Sequence, residues 1–319
     1  MMKRLIKLSL KYVLFYSPTF FRTYLLNVKN RKELKMALMR KRRTKIKKEE
    51  LERLIQSLDL DCDVFLHTSM MNIGAIEGGA KFVVETILNN FDIEHHTLLV
   101  SALPYRGSFY EYLKTNPTFD VRNAEVAMGV INERLAMRKD ACRSIHPTHS
   151  VVAIGSQAQE YTATHHLDQT PFGEHSPYLK IFKNKGKILL LGATLDNVTA
   201  IHALEDLLGD NYPVDIYDKK DFKIRCYNEK GVGLFVSTKC HHPIKCLSRD
   251  VSSMRKYLEK VDAIKVTPVG ESEIMLIDSL KFAACYFDML ACGRSIYGSH
   301  KVSKDLKEAI SRVRQILNI

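Results

Sequence analysis

The amino-terminal run MMKRLIKLSLKYVLFYSPTFF lacks an uninterrupted apolar stretch, because Lys7 and Lys11 break it, and no small-residue cleavage site follows. It therefore reads neither as a secretory signal nor as a plain bilayer-spanning helix. The seven cysteines are odd in number and share no regular spacing, which sets aside a secreted disulfide scaffold and fits a reducing cytoplasm. Cys240-His241-His242 with Cys246 offers metal-ligand types, but no second CxxC supports a zinc pattern, so no metal is expected. The glycines of TSMMNIGAIEGG match neither the P-loop nor the dinucleotide fingerprint. There is no internal repeat and no low-complexity tract.

The charge is unevenly placed. Of the net +12, residues 1–50 carry +13 (16 Lys/Arg against 3 Asp/Glu), and the remainder carries −1 (32 against 33). A body without basic excess argues against nucleic acid as a partner, since a nucleic-acid-binding domain presents its basic patch on the fold. Residues 1–47 read as a basic amphipathic extension and 48–319 as one domain. The run Arg40, Lys41, Arg42, Arg43, Lys45, Lys47, Lys48 suits contact of residues 1–48 with an anionic membrane surface, at the inner face of a cytoplasmic membrane. The competing reading is a helix that packs on the body and snorkels its lysines.

Residues 30–58 are rich in helix formers and free of Gly and Pro, which predicts a helix. Asp61–His67 predicts a first buried strand, followed by a Gly-rich loop, a helix over 80–90 and a second strand over Thr97–Leu103. This order suggests an α/β core. Residues 105–123 read as a loop over a cleft and 124–139 as helix. Val151–Ile154 reads as a strand, 165–178 as loop, and Lys187–Leu191 (KILLL) as the clearest buried strand. The last third predicts strands at Lys223–Tyr227 and Gly233–Val236 and helices near 250–260, 272–291 and 303–317.

Chemistry concentrates after KILLL. GATLDNVTAIHALED sets Thr199, His202 and Glu205 three residues apart at a helix start, on roughly one face. The position beyond the carboxyl end of a buried strand is where open α/β sheets place ligands. His202 could accept a proton, Glu205 could orient it, and the Thr199 hydroxyl or the first-turn N–H groups could hold an oxyanion. Alternatively, Thr199 is only a helix cap and His202–Glu205 an exposed pair of little worth. RSIHPTHS crowds Arg143, Ser144, His146, His149 and Ser150, either as an anion site or as a loop braced by Pro147. Cys142, beside Arg143, is a weak candidate nucleophile, with no properly spaced base.

Six segments occur in the order seen in one family: FLHTSMMNIGAIEGGA, TFDVRNAEVAMGVI, RSIHPTHSVVAIG, TPFGEHSPY, GKILLLGATLDNVTAIHALE and VTPVGESE. Over roughly residues 48–285 the chain resembles the aminoglycoside 3-N-acetyltransferases, the antibiotic N-acetyltransferase family. The resemblance implies a three-layer α/β/α sandwich around a mixed β-sheet, with acetyl-CoA or another acyl-CoA as co-substrate and no metal. It matches His202 to the family's catalytic base and Thr199 and Glu205 to the same T-x-x-H-x-x-E motif. Thr68, Ser69, Met70, Ile73, Arg143, Ser144, His146 and Ser150 match its coenzyme A surface.

One departure bears on the acceptor. Where aminoglycoside enzymes carry acid, the loop PYRGSFYEYL offers Arg106, Tyr110 and only Glu111. With Arg106 taken to face the acceptor, the expectation is acylation of an anionic, nucleotide- or lipid-linked amino sugar in surface polysaccharide biosynthesis. The alternatives are an aminoglycoside 3-N-acetyltransferase conferring antibiotic resistance and a non-catalytic membrane-associated binding module.

Overall fold

Alternate residues of the central strands are apolar and buried on opposite faces, so the strands must be covered twice. Val64 and Leu66 face one side and Phe65 the other, and Leu98, Leu99, Val100 and Ile188 to Leu191 repeat the pattern. A strand buried on both faces reads as a continuous apolar run, as KILLL does. The structure, a computed structural model, describes residues 45–319.

Seven strands form the main sheet: β1 Val64–Thr68, β2 Thr97–Ser101, β3 Cys142–Arg143, β4 Val151–Gly155, β5 Lys187–Leu191, β6 Ile264–Val269 and β7 Ser272–Asp278. Their order is β6-β7-β5-β1-β2-β4-β3. The central β5, β1 and β2 are parallel, and the outer neighbours are antiparallel, so the sheet is mixed. Helices α1 (Lys48–Gln56), α2 (Gly79–Asn89) and α3 (Val130–Ala136) cover one face through Leu51, Ile55, Val83, Ile87, Ile131 and Leu135. Helices α4 (Pro177–Lys183), α5 (Ile201–Leu208), α6 (Ser279–Ala291) and α7 (Lys304–Leu317) cover the other. This is the three-layer α/β/α sandwich expected.

A second, three-stranded sheet joins Phe119–Asp120, Phe222–Tyr227 and Gly233–Thr238. The helix Phe109–Lys114 packs on it around Leu113, Phe119, Ile224 and Val236. The segment 105–123, expected as loop, is therefore part of a small domain-like layer. Its last strand delivers the chain to Cys240 and His241.

Other sequence expectations need correction too. Residues 272–291 are not one helix: SEIMLID pairs antiparallel with KILLL as β7, and Asp278 then caps α6 by accepting from the Lys281 N–H. The helix over 30–58 is not continuous either, since Lys45–Ile46 pairs with Ala75–Ile76 and α1 begins at Lys48. Ile46 is buried, so the body includes residues 45–47 that were assigned to the extension. Residues 1–44, with the membrane reading placed on them, lie outside the described residues. Among the described residues no helix is long and apolar enough to cross a membrane.

Candidate active site

Because β5, β1 and β2 are parallel and β4 antiparallel, one edge of the sheet collects three of the singled-out segments. These are the 68–73 turn after β1, the RSIHPTHS loop entering β4, and the motif after β5. The first and third are joined directly: the Ser69 N–H donates to the Leu191 carbonyl (2.9 Å) and Asn72 Nδ2 to the Gly192 carbonyl (3.0 Å).

Gly192 makes that junction possible. Its φ is +70°, and a Cβ there would lie 2.3 Å from Ile73 Cγ1 and 2.7 Å from the Ser69 carbonyl oxygen. Gly192→Ala should lower unfolding stability by roughly 3 kcal/mol, combining left-handed strain with overpacking. Chemical denaturation would check this; a loss below about 1 kcal/mol would mean that the 68–73 turn yields freely.

After Gly192 the chain makes a short 3₁₀ turn, Leu195–Asn197, whose start is closed by a Thr194–Asn197 capping box. α5 then begins at Ile201, later than expected, with Ala200 at the N-cap position. Thr199 therefore does not cap the helix. Its hydroxyl donates to the Asn197 carbonyl (3.3 Å) instead.

His202 sits in the first turn of α5, 3% exposed, and Glu205 lies one turn on, 1% exposed. Their contact is buried: His202 Nδ1 to Glu205 Oε2 is 2.7 Å. The exposed-pair reading is thereby excluded. Glu205 Oε1 also accepts from the Tyr212 hydroxyl (3.0 Å) and the Tyr286 hydroxyl (3.1 Å), and Oε2 meets the Tyr297 hydroxyl at 3.4 Å. Burial pushes this carboxyl up to about 7, against the pull of the tyrosine hydroxyls and of Arg249. On the other ring nitrogen, Arg249 Nη1 donates to His202 Nε2 at 2.7 Å. A guanidinium has no lone pair to offer, so Nε2 must accept and Nδ1 must carry the proton toward Glu205. His202 is thus neutral, and burial, followed by the Arg249 charge, holds it well below its usual pKa.

His241 stands edge-on to His202 with ring centroids 4.4 Å apart, and its buried Nε2 has no hydrogen-bond partner among the described residues. Phe172, from TPFGEHSPY, packs between His202 (5.0 Å) and His149 (4.8 Å) and links the motif to the RSIHPTHS loop. His202, Glu205 and His241 offer atoms within 4.8 Å of one another, a spacing that could hold a metal. As arranged, both His202 nitrogens are engaged, Nδ1 with Glu205 and Nε2 with Arg249, so His202 has no free lone pair to offer an ion.

The other sequence candidates divide. Thr68 and Met70 are partly exposed at the sheet edge, the Thr68 hydroxyl reaching Asn132 at 3.4 Å, whereas the Ile73 side chain is core. Ser144, His146 and Ser150 are fully buried and braced by protein. The Ser144 hydroxyl meets His165 Nδ1 (2.8 Å), the Ser150 hydroxyl donates to the Ser144 carbonyl (2.8 Å), and His146 Nδ1 accepts from the His149 N–H (3.0 Å). In this structure these three side chains stabilise the loop and do not line open space. Arg143 is partly buried, donating to the Ser150 hydroxyl and to the carbonyls of Ala102, Ala124 and Glu125. It also borders a cavity of about 810 Å³.

Arg106 lies at the surface. It is 71% exposed in its side chain and paired with Glu125 at 2.8 Å. Tyr110 packs edge-on to Phe222, and Glu111 meets Lys114 at 3.6 Å, so both belong to the small layer. From that helix it is Phe109 that approaches the cluster, 6.3 Å from His241. Cys142 is half-buried with its thiol pKa raised, and Cys240 and Cys246 are raised by burial too, the opposite of an activated nucleophile. Sequence reading missed Arg249, Tyr212, Tyr286 and Tyr297. They come from distant segments, and no local spacing announces them.

Fold and site together define a three-layer α/β/α protein with a buried Glu–His pair at the carboxyl edge of its parallel strands. The sequence model described as aminoglycoside 3-N-acetyltransferase matches residues 65–291, and the chain belongs to that family. It is 35% identical over 170 residues to an aminoglycoside N(3)-acetyltransferase III of a Salmonella species, across 49% of this chain and 58% of that protein. The chain thus spans less than two thirds of that relative's length. A Streptomyces paromomycinus aminoglycoside N(3)-acetyltransferase VII is 32% identical over 189 residues, across 54% of this chain and 64% of that one. Among solved structures, an AAC-IIIb complex with CoASH superposes with TM-score 0.64 at 20% identity, covering 78% of this chain and 97% of its own. AAC-VIa bound to sisomicin gives 0.62 at 23%, covering 78% and 98%. At these identities the two structures establish the shared fold.

Proposed function

We propose that the protein is an acyl-CoA-dependent N-acyltransferase acting on an amino sugar, with His202 as general base and Glu205 as the group that orients it. The observation that carries this reading is the buried 2.7 Å contact from His202 Nδ1 to Glu205 Oε2, which together with the Arg249 donation to Nε2 sets the proton on Nδ1 and the lone pair on Nε2. In the reaction, Nε2 takes the proton of the acceptor amine as the amine attacks the thioester carbonyl. A base in place is worth roughly a hundred- to ten-thousand-fold. A neutral histidine at physiological pH is the form this step requires. The binding-module alternative would not need such a pair.

For the acceptor, the family and its relatives favour the aminoglycoside alternative over the polysaccharide sugar first expected. Against an anion, the Arg106 charge is already answered by Glu125 at 2.8 Å. Beside Glu205, a cavity of about 460 Å³ is lined by Asp206, Asp210 and Asp215 together with Lys239, and Lys245 pairs with Asp215 at 2.5 Å. Burial pushes the Asp206 carboxyl up to about 7, so an ammonium nearby would restore its charge. With Glu205, Asp206 and Asp210 against Lys239, the lining is acidic on balance, which suits a cationic acceptor.

The cofactor is tested separately. Acetyl-CoA or CoA should raise the melting temperature by binding the native state, by the equivalent of about 2.7 kcal/mol at a hundred times its Kd. Calorimetry without CoA binding at millimolar ligand would overturn the acyl-CoA reading. Thiol release from acetyl-CoA with sisomicin, compared with a nucleotide-linked amino sugar, separates the acceptors. Preference for the second would restore the anionic reading.

A further inference from the structure

Acyl transfer needs a group that receives the charge developing on the thioester oxygen, and Thr199, which the sequence offered for that purpose, has its hydroxyl bonded to the Asn197 carbonyl. Arg249 is placed differently. Its Nη1 donates to His202 Nε2 (2.7 Å) and its Nη2 to the Asp196 carbonyl (2.6 Å), and it meets no carboxylate at ion-pair distance among the described residues. A partly buried guanidinium with no carboxylate in direct contact, Glu205 lying across the His202 ring, and touching the nitrogen that must accept the proton, is a cation placed to receive negative charge. Its backbone is anchored. Asp196 Oδ1 accepts from the Val251 N–H (2.9 Å) and Asp196 Oδ2 from the Ser252 hydroxyl (3.1 Å), so the loop after Arg249 is clamped to the 3₁₀ turn before α5.

We propose that Arg249 is a catalytic residue with two alternating positions, capping His202 Nε2 in the acceptor-free enzyme and donating its N–H groups to the thioester oxygen once the acceptor amine has displaced it. The proposal rests on the acyl-transfer reading above. The amine lone pair forms the N–C bond, the carbonyl π pair moves to oxygen, and Nε2 takes the amine proton. The oxygen, held by the guanidinium, then returns its pair to carbon. The C–S bond breaks, and the CoA thiolate leaves with the proton from the His202 imidazolium. Products are an amide and CoA thiol, so atoms and charge balance. The Asp196 carbonyl holds the arginine near the reacting carbon throughout, while the cap keeps the base neutral until an acceptor arrives.

The test compares wild type, Arg249→Ala and Arg249→Lys with acetyl-CoA and sisomicin. Removing one oxyanion donor lowers kcat on the order of a hundred- to a thousandfold. Arg249→Ala should show that loss with CoA affinity and melting temperature near wild type. Methylguanidine should restore part of the rate, and Arg249→Lys should recover only part of it, lacking the fork. A structural role alone gives no rescue by methylguanidine. The acid limb of kcat/KM should also move to higher pH in Arg249→Ala. The charged or titratable groups facing His202 would then be Glu205 on α5, His241 just beyond the small sheet and, across Phe172, His149 of the RSIHPTHS loop, without the arginine's repulsion. A kcat within threefold of wild type, a kcat that rises, or a defect that methylguanidine leaves untouched overturns the proposal. If the wild type turns over no aminoglycoside, the acceptor reading fails on its own. Arg249 is then read on acetyl-CoA hydrolysis, with water in place of the amine, where coincident wild-type and Arg249→Ala rates overturn it.

Discussion

His202→Ala should lower kcat at least about a hundredfold while leaving CoA affinity within about threefold of wild type. The expected split follows from geometry. His202 is held by Glu205 on one nitrogen and by Arg249 on the other, and among the described residues no hydrogen bond joins its side chain to Thr68, Ser69, Met70 or Ile73 of the turn matched to the CoA surface. Its loss removes the proton acceptor and leaves a small gap between Glu205 and Arg249. Those two opposite charges can meet through water, so the fold should survive. Steady-state kinetics with isothermal CoA titration would check both halves. Near-normal turnover with an authentic acceptor would show that the amine is deprotonated elsewhere. A large parallel loss of CoA affinity would show that His202 is part of the cofactor site.

What was legible in the sequence follows from which forces are local. KILLL, VFLH and TLLV could be found because strands buried on both faces must be apolar throughout. The T-x-x-H-x-x-E spacing could be found because three residues of helix set side chains on one face. β6 was missed because Pro268 sits in IKVTPV. Proline is tolerated there because β6 is the edge strand of the sheet, where a missing N–H breaks no ladder. β7 was read as helix because SEIMLID runs without Gly or Pro into α6, and only the Asp278 cap separates the two. For Arg106, sequence shows a charge but not its partner, Glu125, nineteen residues on. Arg249 and the three tyrosines on Glu205 lie beyond any local pattern, since they reach the pair only through tertiary packing.

Those tyrosines carry the second large expectation. Glu205→Leu should cost about 3–5 kcal/mol of stability, whereas Glu205→Gln should cost much less while still lowering turnover. In the wild type one carboxylate answers His202 Nδ1 and the hydroxyls of Tyr212, Tyr286 and Tyr297. Leucine fills similar space but leaves His202 Nδ1 and part of the tyrosine hydroxyls without an acceptor, Tyr212 and Tyr286 keeping only their mutual 2.7 Å contact, and each unsatisfied group costs about 1–3 kcal/mol. Glutamine can keep its carbonyl toward His202 and turn its amide toward the tyrosine oxygens, so the network survives without its charge. The difference should depend on pH. The Glu205 carboxyl lies near 7 when folded and near its usual 4.5 when unfolded, so the folded protein binds this proton more tightly. Its contribution is therefore fully present below about pH 4.5 and is lost as pH rises through about 7. Leucine cannot titrate, so the gap between wild type and Glu205→Leu should be wider at pH 5 than at pH 8. Urea unfolding at the two pH values measures it. A gap that is equal at both, or wider at pH 8, would mean that Glu205 stays ionised through this range and that the tyrosine donors outweigh its burial.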